Sequence, residues 1–129
     1  MWTSAISNKK QWISIFGEHH LTNNIYVSYA MLDGTSINLN LRCPIEQATA
    51  PKKWLEKNYN EYEFNLYIVN IEDFIVENFN FSGSVNISIK QDGPSYKIEL
   101  GFANSCRAMF SAKNITIANI KAYYNDGAM

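Results

Sequence analysis

Val85, Ile87 and Ile89 alternate with polar residues, the chain turns at Gln91-Asp92-Gly93-Pro94, and Tyr96, Ile98, Leu100 and Phe102 alternate on the return. A period of two sends successive side chains to opposite faces of an extended strand, so each run has one apolar and one wet face. Asp-Gly between two such runs signals a tight hairpin, because glycine accepts the positive φ that the turn demands. The pattern also occurs upstream. There Ile25, Val27, Tyr29 and Met31 alternate, Asp33-Gly34 turns, and Ile37, Leu39 and Leu41 return against Ser36, Asn38, Asn40 and Arg42. That phase puts Tyr29 and Met31 on the core side with Val27. Pro44, which offers no ladder donor, is expected to stop the second strand.

A third strand is marked by Tyr62, Phe64, Leu66 and Ile68 opposite Glu63, Asn65 and Tyr67. Ile71-Glu72-Asp73-Phe74 reads as a turn and Ile75–Phe81 as a short strand or bent connection. Arg107–Ser111 and Ile115–Tyr124 complete the set. In the last run the apolar phase slips from Ile115 and Ile117 to Ile120 and Ala122, which predicts a β-bulge near Ala118-Asn119. Gly101 inside an alternating run predicts a bulge or a close backbone approach. Before the strands, Ser7 or Asn8 can cap one short helix that Gly17 ends in a left-handed conformation, with Trp12, Ile15 and Phe16 on its docking face. Residues 44–60 read as a crossover loop with a helical turn around Lys52–Lys57. The expectation is a mainly β chain: an antiparallel β-sandwich or partly open barrel of about seven to eight strands with one short N-terminal helix. With 129 residues and no repeat or linker, 1–129 is expected to be a single domain.

Nothing in this pattern carries a catalytic signature, and no enzyme is expected. His19 and His20 are the two histidines. Adjacent residues in an extended segment point opposite ways, so they do not make a metal pair. Cys43 and Cys106 are too few for a disulfide framework or a zinc site, and are expected to be reduced and semi-buried. Cys106 with a histidine and Asp73 can be drawn as a triad, and Glu61 with Glu63 as a carboxylate pair, but no spacing demands either. The six glycines never cluster into a phosphate loop. No cofactor is expected. Two arginines and a net charge of −1 speak against nucleic acid, despite the aromatic content. No apolar run approaches the roughly 18 residues of a membrane helix. The opening Met1-Trp2-Thr3-Ser4-Ala5 lacks the features of a secretory signal, which predicts a cytoplasmic protein with no membrane partner.

Charge is uneven along the chain. Between Glu56 and Glu77 six carboxylates stand against Lys57, a net −5, while both flanks are net positive. Such a segment can steer a basic partner or simply be a solvated face. Asparagine is unusually common at 16 residues, alongside 15 isoleucines. Composition alone assigns these no role.

With the elements placed, three stretches carry a family likeness. They are Trp12-Ile13-Ser14-Ile15-Phe16-Gly17 with His19-His20, Phe64 through Phe74, and Ala108 through Ile117 followed by Tyr123-Tyr124. In these the chain resembles bacterial immunity proteins of polymorphic or contact-dependent toxin systems, and is most similar to the Imm50-type group. The resemblance implies a small cytoplasmic protein that neutralises one cognate toxin domain by protein–protein contact. Such toxins are often basic, nuclease-like domains. On that reading Glu61, Glu63, Glu72, Asp73 and Glu77, with Tyr62 or Tyr67 as aromatic anchor, are the expected partner-binding residues. The alternative is a non-catalytic carbohydrate- or lipid-binding β-sandwich module using exposed Trp2, Trp54 or tyrosines.

Overall fold

The computed structural model of the chain describes residues 2–17 and 24–127. After a 3₁₀ turn at Trp2–Ala5 and helix α1 (Lys9–Phe16) come β1 (Tyr26–Asp33), β2 (Ser36–Pro44), helix α2 (Lys52–Glu56) and β3 (Glu61–Val69). Then follow β4 (Glu72–Glu77), β5 (Gly83–Asp92), β6 (Ser95–Phe102), β7 (Arg107–Ala112) and β8 (Asn114–Tyr123). The eight strands run in the order β4-β7-β6-β5-β1-β2-β3-β8, all neighbours antiparallel. The β1–β5 junction is brief, Tyr26 facing Ser84 and Val27 facing Gly83. Two four-stranded halves therefore hinge on one corner, the arrangement expected for a sandwich or open barrel. Among the described residues no helix is long and apolar enough to cross a membrane.

The inner faces of the halves meet in one core. Leu39, Leu41, Phe64, Leu66, Ile68 and Ile115 come from one half and Leu100, Ala108 and Ile98 from the other. The helices close the core with aromatic rings. Trp12 lies 4.5 Å from Phe16, 5.2 Å from Phe64 and 6.5 Å from Tyr62, and Trp54 lies 5.6 Å from Phe16. Aromatic side chains carry the largest burial energies per residue, which explains how an eight-residue helix is held in place.

Both Asp-Gly turns are present, with Asp33 paired to Ser36 and Asp92 to Ser95. The bulge foreseen in the last strand is real: Asn65 pairs with Ala118 but Glu63 with Lys121, and Asn119 holds φ 58°. Three expectations need correction. A bulge at Ser28 lies between Val27, opposite Leu41, and Tyr29, opposite Asn40. It flips the phase of β1, so Tyr29 and Met31 face outward at 45% and 56% exposure. The segment read as a turn at Ile71–Phe74 is already strand from Glu72. The turn is made one step earlier by Asn70 at φ 57°, and an extra residue at Asp73–Phe74, with Asp73 at φ 57°, bulges β4 against β7. Gly101 pairs regularly with Asn86 and Arg107, and a Cβ there would meet nothing within 4 Å, so it marks neither bulge nor close approach. Pro44 is the last residue of β2, paired with Glu61. The helical turn foreseen around Lys52–Lys57 exists as α2.

Asn8 sits at the head of α1, yet its side chain makes no cap hydrogen bond there. Its carboxamide is engaged elsewhere. Nδ2 donates to the Ile117 carbonyl at 2.7 Å, and the Ile117 N–H donates back to Oδ1 at 2.9 Å. Next to it, the Ser7 N–H and Oγ both donate to the Ile115 carbonyl, at 2.8 and 3.1 Å. The side chain of Asn8 thus stands in for a peptide group along the outer border of β8. Asn60 repeats the device, donating to the Asn125 carbonyl at 2.7 Å and accepting from its N–H at 2.7 Å. Replacing Asn8 by Ala removes two such bonds and leaves a part-buried strand border unsatisfied, so it should cost about 2 kcal/mol in urea unfolding. Asn8→Asp should cost at least as much, because a carboxylate accepts but does not donate. Exposed Lys9→Ala is expected to change the midpoint little.

Candidate functional site

β3 and β4 carry the six residues expected at a partner surface, and register divides them into two groups. Glu61, Glu63 and Tyr67 alternate with buried Tyr62, Phe64, Leu66 and Ile68, so they point away from the core. Glu63 lies in register between Arg42 and Lys121. Glu61 accepts a hydrogen bond from the Tyr123 hydroxyl and is approached by Asn125 Nδ2 at 3.3 and 3.4 Å. Tyr67 lies between Asn38 and Thr116. Glu72, Asp73 and Glu77 instead lie on β4, at the far border of the other half, and all three are exposed. Among the described residues Glu72 and Asp73 form no ion pair. Glu77 pairs in register with Arg107, whose guanidinium is held by Glu99. The continuous −5 of the sequence is therefore two separate groups in space. One is interleaved with cations, and the other lies on an open strand border with Arg107 in register beside Glu77. Tyr62, the alternative anchor, is 2% exposed and packs among the core rings, so it meets no partner.

Sequence reasoning missed the centre of the β1–β2–β3–β8 outer face. Asn65 uses its whole carboxamide there. Nδ2 donates to Asn38 Oδ1 at 2.9 Å and to the Tyr29 hydroxyl at 3.3 Å, while Oδ1 accepts from Asn119 at 3.2 Å and Asn40 at 3.5 Å. Asn40 and Asn65 are buried although they face away from the core, because this lattice and the surrounding side chains cover them. Around it stand Tyr29, Met31, Tyr67 and Tyr26, the last with the Arg42 guanidinium 5.3 Å from its ring centre. The alternation of Asn38, Asn40 and Asn65 opposite apolar residues placed them on this face. The position of Tyr29 needed the Ser28 bulge, which leaves no mark in the hydropathy pattern.

The outer face of the other half holds a groove of about 430 Å³ lined by Asp73, Ser88, Lys90, Lys97, Glu99, Met109 and Ser111. Lys90 and Lys97 are directly opposite in register, and Lys97 reaches Asp92 at 3.9 Å. Neither Glu61 nor Glu63 lines this groove. Trp2 and Trp54, offered as exposed ligand platforms, are instead buried in the core.

The nucleophiles are equally removed from solvent. Cys106 is fully buried, and its Sγ accepts the Asn80 N–H at 3.2 Å. Cys43 is buried beside Tyr62; burial pushes its thiol from 9.0 up to about 12, partly offset by the hydrogen bond from Tyr62. Burial, then Cys43, likewise raises the Tyr62 phenol, and burial with the Glu61 hydrogen bond raises that of Tyr123. Both cysteines are free. His19 and His20 lie outside the described residues. Among the described residues no group of three or more His, Cys, Asp or Glu side chains is placed to hold a metal ion.

These groups hold their protons more tightly in the folded than in the unfolded chain. Their contribution to stability is complete below about pH 9 and is lost as pH rises toward the folded-state values. Urea midpoints should therefore stay level from neutral pH to about pH 8.5 and fall above it, with a shallower fall in Cys43→Ala. At about pH 8 a thiol reagent should label Cys43 only in the unfolded protein.

A family model described as immunity protein 50 matches residues 8–123. No curated protein and no solved structure matches the chain.

Proposed function

Because the chain belongs to the immunity protein 50 family, we propose that it binds the toxin domain of its own bacterial system and neutralises it by surface contact, in the cytoplasm and without catalysis. Family membership is the observation that carries this reading. The scaffold suits it: a closed aromatic core fixes the strands, and two outer faces and one strand border are left for recognition. The partner is a basic, nuclease-like domain met by Glu72, Asp73 and Glu77, the carboxylates that this fold leaves on an exposed border. Glu61 and Glu63 are set among Arg42, Lys121, Tyr123 and Asn125, so their field is locally compensated and they contribute contact more than steering. Tyr67, beside Tyr29 and Met31, supplies the aromatic and methionine character that protein interfaces favour.

Coexpression with the C-terminal toxin domain encoded beside its gene tests this reading. The wild-type chain should restore growth, and an unrelated β-sandwich of similar charge should not. In stopped-flow association, Glu72→Lys with Glu77→Lys should slow binding roughly tenfold at low salt, and the gap should close as salt rises. Charge reversal at Glu61 and Glu63 should slow it less. An association rate unmoved by the first pair would refute the placement of the steering charges.

A further inference from the structure

A single sheet has two borders, and this chain treats them differently. The β8 border is occupied: Ser7 and Asn8 take the carbonyls of Ile115 and Ile117 and the Ile117 N–H. The β4 border is the other end of the strand order. Among the described residues, no backbone hydrogen bond outside the ladder with β7 reaches Glu72–Glu77. Unpaired strand borders are templates for another strand. Here the template also carries apolar side chains, Phe74 at 38% and Ile75 at 56% exposure, with Phe79 at 75% just beyond. Phe74 touches the core-side ring of Phe110, 5.5 Å away, while Ile75 lies in register with outward-facing Met109. An added strand would cover one of them on each face.

We propose that the toxin domain docks by adding an extended strand to the free border of β4, a claim that rests on the toxin-binding reading above. The charge on the border selects the occupant. Residues 72–77 hold Glu72, Asp73 and Glu77 and no base. Two copies paired antiparallel over Phe74–Glu77 would gather six carboxylates and no base at the ends of one short ladder, each Glu77 close to Glu72 and Asp73 of the other copy, and like charges so crowded oppose pairing. A second copy of this chain is therefore disfavoured. A strand bearing lysine or arginine toward both ends and apolar side chains between them complements the acids at 72, 73 and 77 and the apolar run Phe74–Val76. The bulge at Asp73 confines regular pairing to Phe74–Glu77, which fits a short recognition strand rather than an extended fibre-like stack.

Two experiments test this. In the complex of the full chain with the toxin domain encoded beside its gene, amide exchange should slow at alternate residues of Phe74–Glu77. Protection confined to the face of Tyr29, Met31 and Tyr67, with β4 unchanged, would overturn strand addition and leave neutralisation standing. Failure to form any complex would overturn both. The second experiment needs no partner. Glu72→Gln/Asp73→Asn/Glu77→Gln removes the repulsion from an open template, so this variant should self-associate in sedimentation velocity while the wild type does not. Circular dichroism verifies that the variant is folded. A folded variant that shows no association at high concentration would mean that the border does not accept a strand, and the proposal would fall.

Discussion

Backbone hydrogen bonding at the borders of the sheet is the constraint on which the rest of this structure depends. An eight-stranded open sheet satisfies its interior ladders automatically, but each outermost strand leaves every second N–H and C=O without a strand partner. At β8 the solution comes from the segment just before α1. Ser7 and Asn8 bind there and so fix the point at which α1 departs. That anchoring brings Trp12 and Phe16 onto Tyr62 and Phe64, where burial of the rings supplies the larger energy. Hydrogen bonds decide where the helix goes, and apolar area holds it there. At β4 no such cover exists among the described residues, and that asymmetry leaves the sheet with one occupied border and one open one.

Asparagine is the residue that makes this economy work, and its abundance has a structural explanation. Asn24, Asn58, Asn70, Asn78, Asn104 and Asn119 all adopt positive φ. Asparagine tolerates that region better than other residues with a Cβ, because its short amide bonds locally to the backbone. Asn8 and Asn60 use the same amide as a peptide surrogate between segments. Asn38, Asn40, Asn65 and Asn119 join into a lattice on an outer face. One side-chain chemistry thus serves turns, borders and surface order. A count of residues could not separate these uses, since each depends on what lies across the strand.

Where local pattern determines geometry, the sequence was a reliable guide. The Asp33-Gly34 and Asp92-Gly93 turns, the alternation in β3, β5 and β6, and the Ala118-Asn119 slip all follow from neighbouring residues and all exist. The errors arise where one strand's phase is set by another. Nothing near Ser28 announces an extra residue, because Tyr29 and Met31 are apolar enough to pass for core, yet pairing with Asn40 and Asn38 turns them outward. Ile71–Phe74 reads as a turn and Ile75–Phe81 as a short strand or bent connection, whereas the sheet starts β4 at Glu72 and absorbs Asp73 as a bulge. The candidate site was half legible. Its acids lie on exposed or half-exposed strand positions, but chain order makes one acidic segment of what the fold sets apart as two groups on different strands.

Recognition on such a scaffold needs no moving part or reactive group. Cys43 and Cys106 are buried and the aromatic core is closed, so the inner space contributes rigidity, and the proposed recognition would fall to the outside. The claim that one border is sealed by its own chain and the other left for a partner is tested most directly by residue-resolved amide exchange on the free protein. The Ile117 N–H should exchange as slowly as amides of the central β2 and β3 strands, while alternate amides of Phe74–Glu77 exchange orders of magnitude faster. Uniformly slow exchange along β4, or a fast Ile117, would contradict the account.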